Sequence, residues 1–158
     1  MNKILWLATA LLLSACGFRL AGSDPALNPP LPVQVWAVQG GALQQVLETE
    51  LLRRQARVDN AFGEAVVRVL DVDTRRDIQT LNLSGSVSEY LLVLKVRVQV
   101  WRGDKAVDKP MEVTVTRPLD YSDRDILGKQ EEEALLWSEM RQDAAQQIVR
   151  RLGYLKVE

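Results

Sequence analysis

The feature that most constrains the fold is a long alternating stretch in the second half of the chain. Apolar residues recur at every second position from Leu92 to Val100, and polar side chains separate them from Lys95 to Gln99. Because successive side chains on a strand point to opposite faces, this pattern predicts a strand with one buried and one polar face. Arg102-Gly103-Asp104-Lys105 predicts a tight hairpin turn, and Val107 to Arg117 repeats the alternation as a return strand. A sheet of this kind needs helices on one side only.

The first half of the chain supplies the elements that precede this hairpin. Val33 to Val38 is rich in β-forming residues and predicts a first strand. Apolar residues at helical spacing then predict an amphipathic helix from Ala42 to about Arg57. Ala65 to Gln79 predicts a second strand, and a break in its alternation near Val69 indicates a bulge. Thr80 to Ser86 reads as the turn that leads into the alternating strand.

A final helix is predicted from about Gly128 to Leu152. Its apolar residues recur at four-residue spacing and form one row: Leu136, Met140, Ala144, Ile148 and Leu152, widened by Ala145 and Val149. Glu131 to Glu133 near its start and Arg150 and Arg151 near its end suit the helix dipole. The order β-α-β-β-β-α predicts an α+β fold. It is a two-layer α/β sandwich, with two helices packed on one face of a four-stranded mixed, largely antiparallel sheet.

The N-terminus has the composition of an export signal. Lys3 is followed by an apolar run from Ile4 to Leu13 and by small residues. The run is about half of the roughly 20 residues that span a bilayer as a helix, and a buried N-terminal helix is the structural alternative. Leu13-Ser14-Ala15-Cys16 is similar to the lipobox of bacterial lipoproteins, and Cys16 is the only cysteine, which excludes an internal disulfide. Cys16 is therefore the predicted lipidation site, and Gly17 rather than Asp after it favours the outer membrane.

These boundaries divide the chain into three predicted segments. Residues 1–15 form a signal peptide, residues 16–32 a lipidated cysteine with a Pro-rich tether, and residues 33–158 a single α/β domain. The tether is predicted to be extended, because proline fixes φ and has no N–H. With 20 basic and 21 acidic residues and a formal net charge of −1, the chain lacks the basic footprint of a nucleic-acid binder.

A search for catalytic chemistry in the sequence finds little. The chain has no histidine, which removes the usual general base and the commonest zinc ligand. It also lacks a nucleophile elbow, a phosphate loop and a dinucleotide fingerprint. Asp71 and Asp73 would share a strand face and form a conceivable acid pair or hard-metal site, although a solvent-exposed position is favoured. We therefore expect no enzyme activity, catalytic residue, cofactor or metal.

Basic residues offer a better candidate site than the acids do. Arg75 and Arg76 lie late in the second strand, and Arg124 and Lys129 flank the entrance to the last helix. If these segments meet at one end of the domain, the four side chains form a positive patch suited to phosphate or carboxylate groups. Scattered solubilising charge is the alternative interpretation.

The order of these features resembles the LptE family of lipopolysaccharide-assembly lipoproteins. The resemblance runs over essentially the whole chain and is carried by the lipobox, the hairpin, and three short stretches: Cys16-Gly17-Phe18, Glu89-Tyr90, and the closing helix from Glu139 to Leu152. It implies a lipoprotein held in the outer membrane by acyl chains of the palmitate type, lying on the periplasmic side and in a barrel lumen. Such a protein plugs the LptD β-barrel as a 1:1 partner, supports its assembly, and binds lipopolysaccharide during delivery to the cell surface. A domain with a hydrophilic exterior suits a polar lumen.

The resemblance also implies which residues contact lipopolysaccharide. Lys129, in the loop entering the last helix, matches a position where relatives have a lysine, and its role would be to pair with a phosphate. Family members can carry an arginine in the turn before the third strand, whereas Thr80 to Ser86 contains no basic residue. Arg75 and Arg76 are candidate substitutes. A periplasmic adaptor or chaperone lipoprotein without a glycolipid ligand is the alternative function.

Overall fold

The computed structural model describes residues 29–121 and 126–156. In chain order the elements are β1 (Val35–Gln39), a 3-10 turn (Gly41–Leu43), α1 (Gln44–Arg53), β2 (Arg57–Val58), β3 (Ala65–Leu81), β4 (Val87–Arg102), β5 (Lys105–Ala106), β6 (Met111–Asp120) and α2 (Ile126–Leu152). The signal peptide, Cys16 and most of the predicted tether lie outside the described residues, as does Arg124.

The strands form one mixed sheet in the order β2-β1-β3-β4, and the far edge of β4 is shared by β5 and β6. β1 runs parallel to β2 and β3, and the pairs that β4 makes with β3, β5 and β6 are antiparallel. The predicted α+β class is confirmed. The predicted count of four strands is wrong for the described residues, because β2 and β5 add two strands of two residues each. Two residues are too few to show a hydrophobic period.

The core lies between the helix-facing side of the sheet and the two helices. The alternating residues of β4 from Leu92 to Val100 are buried, as are Val113 and Val115 of β6. The apolar row of α2 packs against them, with Met140 and Ile148 fully buried. Each such side chain contributes roughly 1.5–3 kcal/mol through removal of apolar surface from water. The described helices thus pack on one face of the sheet, as the sequence predicted.

Several predicted boundaries shift in the structure. The bulge near Val69 is confirmed by a register shift between Val69 and Asp71. β3 continues past the predicted end at Gln79, so the connecting turn narrows to Asn82–Ser86. α1 ends before the predicted Arg57, because Gln55 takes a φ of 62° that a right-handed helix does not allow.

The two C-terminal elements are displaced from their predicted starts. β6 begins at Met111 instead of Val107, because the chain leaves the sheet after the two-residue strand β5. α2 begins at Ile126 instead of about Gly128. Glu131 to Glu133 consequently lie in its second turn, beyond the first turn where the predicted dipole effect is strongest.

The first described residue packs at the C-terminal end of α2. The Pro29 carbonyl accepts a hydrogen bond from Arg54 Nη1 at 3.3 Å, and a Cβ on Gly153 would come within 2.6 Å of the same oxygen. Early in α2, Glu133 instead contacts Arg76, far along β3. The chain therefore enters the domain at the end of α2 that is remote from the β3–β4 turn.

Gly63 is held against the β1 backbone, and we expect Gly63→Ala to destabilise the fold by about 1–3 kcal/mol. A Cβ at this position would lie 2.4 Å from the Ala37 backbone nitrogen and 2.7 Å from the Ala37 Cβ, and neither atom belongs to a flexible side-chain end. Urea unfolding of the two proteins measures the loss. Ala61→Ser, in the same loop and exposed, is the control, and equal stability of the Gly63→Ala and parent proteins would contradict the tight packing.

Candidate functional site

Arg76 contacts both an aromatic ring and a carboxylate. It pairs in register with Leu92, so its side chain lies on the helix-facing side of β3. Its guanidinium carbon sits 4.4 Å from the centre of the Tyr90 ring, and its Nη1 lies 3.1 Å from Glu133 Oε2. Tyr90 in turn meets the Tyr121 ring edge to face, with 5.2 Å between centroids. A cation over an aromatic face at an exposed site contributes about 0.5–1 kcal/mol, so the ring helps to orient Arg76.

Lys129 lies in the first turns of α2 rather than in the loop that was predicted for it. Its Nζ is 2.7 Å from Glu132 Oε2, and its side chain is 22% exposed. Glu132 and Glu133 are consecutive, so Lys129 and Arg76 approach the same end of α2. The structure thus brings two of the four predicted basic residues to one end of the domain.

Arg75 does not join this group. It pairs in register with Val93, on the face of the sheet opposite to Arg76, and its Nε lies 3.3 Å from Asp73 Oδ2. Neighbouring residues on a strand point to opposite faces, so a single patch containing both arginines is excluded. Arg124 lies outside the described residues.

The cations at the start of α2 are matched by nearby carboxylates. Glu132 pairs with Lys129 and Glu133 pairs with Arg76, and Glu133 Oε1 also accepts a hydrogen bond from Trp137 Nε1 at 3.1 Å. The group is therefore a balanced ion-pair cluster rather than a surplus of positive charge. Exposed pairs contribute only about 0–1 kcal/mol each, so an anion of higher charge can replace the carboxylates at small cost.

Asp71 and Asp73 lie on the sheet face that carries no described helix. They pair in register with Arg97 and Lys95, and Asp73 also contacts Arg75. Within residues 29–121 and 126–156, no group of three or more His, Cys, Asp or Glu residues is arranged to hold a metal ion. The basic neighbours make an ordinary surface ion-pair role the better account of these two acids.

The β3–β4 turn was predicted from the sequence, but the exposure of its leucine was not. The Asn82 Oδ1 accepts hydrogen bonds from the backbone N–H groups of Ser84 and Ser86 and from the Ser84 hydroxyl. Gly85 completes the turn at a φ of 81°. This bonding holds Leu83 fully in solvent at the tip of the ribbon. Asn and Ser spacing signals the turn, but nothing local signals that its leucine stays uncovered.

Comparison with known proteins identifies the family to which this chain belongs. The family model described as "LptE: Lipopolysaccharide-assembly" matches residues 30–152, which is most of the chain. The chain belongs to the LptE family. The LPS-assembly lipoprotein LptE of Pectobacterium atrosepticum is 33% identical over 151 residues, which are 92% of this chain and 82% of that protein. The corresponding protein of Yersinia enterocolitica is 30% identical and covers 94% of this chain and 74% of its own length.

Solved structures of lipoproteins share the family's fold. An uncharacterized lipoprotein B from Nitrosomonas europaea superposes with a TM-score of 0.70 at 28% identity, covering 87% of this chain and 90% of that one. A minor lipoprotein from Acinetobacter baumannii gives 0.67 at 26% identity, covering 79% and 94%. The family resemblance and the α+β class predicted from the sequence are both confirmed. Among the described helices none is long and apolar enough to cross a bilayer.

Proposed function

We propose that this chain is an outer-membrane lipoprotein that plugs an LptD-type β-barrel as a 1:1 partner, supports the assembly of that barrel, and binds lipopolysaccharide during its delivery to the cell surface. The observation that carries the proposal is membership of the LptE family across nearly the whole α+β domain. The surface of the domain supports the plug, and the cluster around Arg76 supports the lipopolysaccharide contact.

The sheet face that carries no described helix suits a polar barrel lumen. Many of its side chains along β3, β4 and β6 are charged or hydroxylated, although Leu91 and Val93 also lie on it, and the charged ones form ion pairs such as Lys95 Nζ to Glu112 Oε1 at 3.1 Å. The lumen of a large outer-membrane barrel is lined by polar residues, so burying this face there leaves its charges in a compatible setting. A wholly apolar sheet face would not be compatible with such a lumen.

The cluster at the start of α2 offers the lipopolysaccharide contact. Arg76 is oriented by Tyr90 and Glu133, and Lys129 by Glu132, so both cations are held at defined positions before a ligand arrives. A phosphate group offers more charge and more acceptor oxygens than either glutamate. In this proposal lipid phosphates replace the glutamates as partners of Arg76 and Lys129, while Arg124 adds a third cation.

The anchor and the ligand site would lie at opposite ends of the domain. Cys16 would carry two or more acyl chains, which suffice for stable anchoring. Residues 17–28 join it to Pro29, and a chain spans up to about 3.3–3.6 Å per residue. Pro29 packs at the C-terminal end of α2, whereas Arg76 contacts its beginning. The tether would therefore join the domain at the end of α2 that is remote from Arg76.

A second candidate is a periplasmic adaptor or chaperone lipoprotein with no glycolipid ligand. The finding that favours it is the pairing of Arg76 and Lys129 with glutamates, which gives both cations a structural role without any ligand. The two functions differ in one property, which is binding of lipopolysaccharide.

A binding assay separates the two candidates. The lipidated full chain is immobilised and exposed to lipopolysaccharide, and in parallel to lipopolysaccharide whose headgroup phosphates have been removed enzymatically. We expect retention of the native glycolipid and several-fold weaker retention of the dephosphorylated form. Absence of retention supports the adaptor, and equal retention of both forms would exclude a phosphate contact.

A further inference from the structure

β3 has an open edge along most of its length. β1 pairs with it only from Ala65 to Arg68. From Val69 to Leu81 the strands of the described chain pair with β3 on the β4 side alone. Backbone N–H and C=O groups on the other side are therefore available for pairing with a further strand, which is the general property that makes open edges binding sites.

A pocket lies between this strand and α2. It has a volume of about 380 Å³ and is lined by Thr74 of β3 and by Ala134, Trp137 and Arg141 of α2. In its wall the Trp137 Nε1 donates a hydrogen bond to Glu133, and Glu133 also binds Arg76 on β3. An open strand edge with a side-chain pocket beside it can bind an extended peptide through its backbone and read alternate side chains.

The pocket carries a cation that lacks a partner within the described part of the chain. There the half-buried Arg141 guanidinium makes no hydrogen bond or ion pair, and the Thr74 hydroxyl makes none either. The other arginines of the region differ, since Arg76 is bound to Glu133 and Arg117 to Asp143. A guanidinium in a partly buried pocket favours a carboxylate, which it can bind through two parallel hydrogen bonds.

We propose that the open edge of β3 binds an extended segment of a partner protein as an added strand, with an acidic side chain of that segment seated against Arg141. Side chains of an added strand alternate in direction, so every second one points toward α2 and the pocket. Trp137 and Ala134 would contact the stem of the acidic side chain, and Arg141 and Thr74 its carboxylate. This inference goes beyond the proposed function and does not depend on lipopolysaccharide binding.

A second copy of this chain fits the edge poorly. The helix-facing residues of β3 beyond the bulge are Val72, Thr74, Arg76 and Ile78, and none is acidic. A β3–β3 pairing that continues the sheet with the same face toward the helices would therefore bring neutral or positive side chains to Arg141. The charge of the pocket favours a different, acidic strand.

A peptide-binding experiment on the lipidated full chain in detergent tests the proposal. The probe is a fluorescent, blocked nine-residue peptide of alternating threonine and valine with a central glutamate, and the matched probe has lysine in its place. We expect the glutamate peptide to bind at least about fivefold more tightly. Arg141→Glu should reverse that preference, Arg141→Gln should remove it, and Arg150→Glu, an exposed arginine of the same helix outside the pocket, should leave it unchanged.

Backbone hydrogen exchange on the same samples locates the peptide. The proposal predicts slower exchange at alternate amides between Val69 and Leu81 when the glutamate peptide is bound. Three results would overturn it. Neither peptide binds at about 1 mM, the preference for the glutamate peptide is the same in the parent and the Arg141 variants, or peptide binding does not slow exchange at the β3 amides. Concentration-dependent self-association that competes with the peptide would assign the edge to a second copy instead. Circular dichroism confirms that each variant is folded.

Discussion

Trp36→Ala should lower the free energy of unfolding by about 3–5 kcal/mol, because it removes the largest side chain of the core. The Trp36 side chain is 0% exposed, and its Nε1 donates a hydrogen bond to the Val33 carbonyl at 3.0 Å. The substitution leaves a cavity beneath α1 and an unsatisfied carbonyl at the entrance to β1. Since domains are typically stable by only about 5–15 kcal/mol, this loss is a large share of the total.

Chemical denaturation of the parent and variant chains measures this effect. Phe62→Ala is the matched control, because Phe62 is also a large aromatic residue but is 83% exposed. We expect its stability change to stay within about 0.5 kcal/mol. Comparable losses in the two variants would contradict the core described above.

Neutralising Arg76 and Lys129 together should weaken lipopolysaccharide binding by about 10- to 100-fold. In the proposed complex each side chain makes a charge-assisted hydrogen bond to a phosphate, and tenfold corresponds to about 1.4 kcal/mol. The double variant Arg76→Gln, Lys129→Gln removes both charges and keeps polar side chains of similar length. Titration of the full chain with lipopolysaccharide at fixed ionic strength gives the dissociation constants.

Arg75→Gln is the control for this experiment. Arg75 adjoins Arg76 in sequence and loses the same charge, but its side chain lies on the opposite face of β3. We expect its affinity to stay within about twofold of the parent. If Arg75→Gln weakens binding as much as the double variant does, the ligand is attracted by overall charge and not by the cluster at α2.

Much of the fold follows from local periodicity in the sequence. The alternation of β4, the Gly-Asp hairpin, the bulge near Val69 and the apolar row of α2 all appear in the structure. Each of these features is set by residues close together in the chain. The short strands β2 and β5 were missed because they form only where another strand lies beside them.

The candidate site was predicted only in part. Arg76 and Lys129 approach the same end of α2, but the opposite direction of Arg75 could have been inferred from strand alternation alone. Pairing of Arg76 with Glu133 joins residues 57 positions apart, and no local pattern specifies such a contact. The same holds for the open edge of β3, which depends on how short β1 is relative to its neighbour.

Isolation of the tagged full chain from outer membranes in mild detergent tests the central proposal most directly. The measured quantities are the mass and the subunit stoichiometry of the complex that it forms. We expect a stable 1:1 complex with a large β-barrel protein, and loss of correctly assembled barrel when the chain is depleted. Recovery of the chain as a free monomer, together with normal barrel assembly in its absence, would contradict the proposed function.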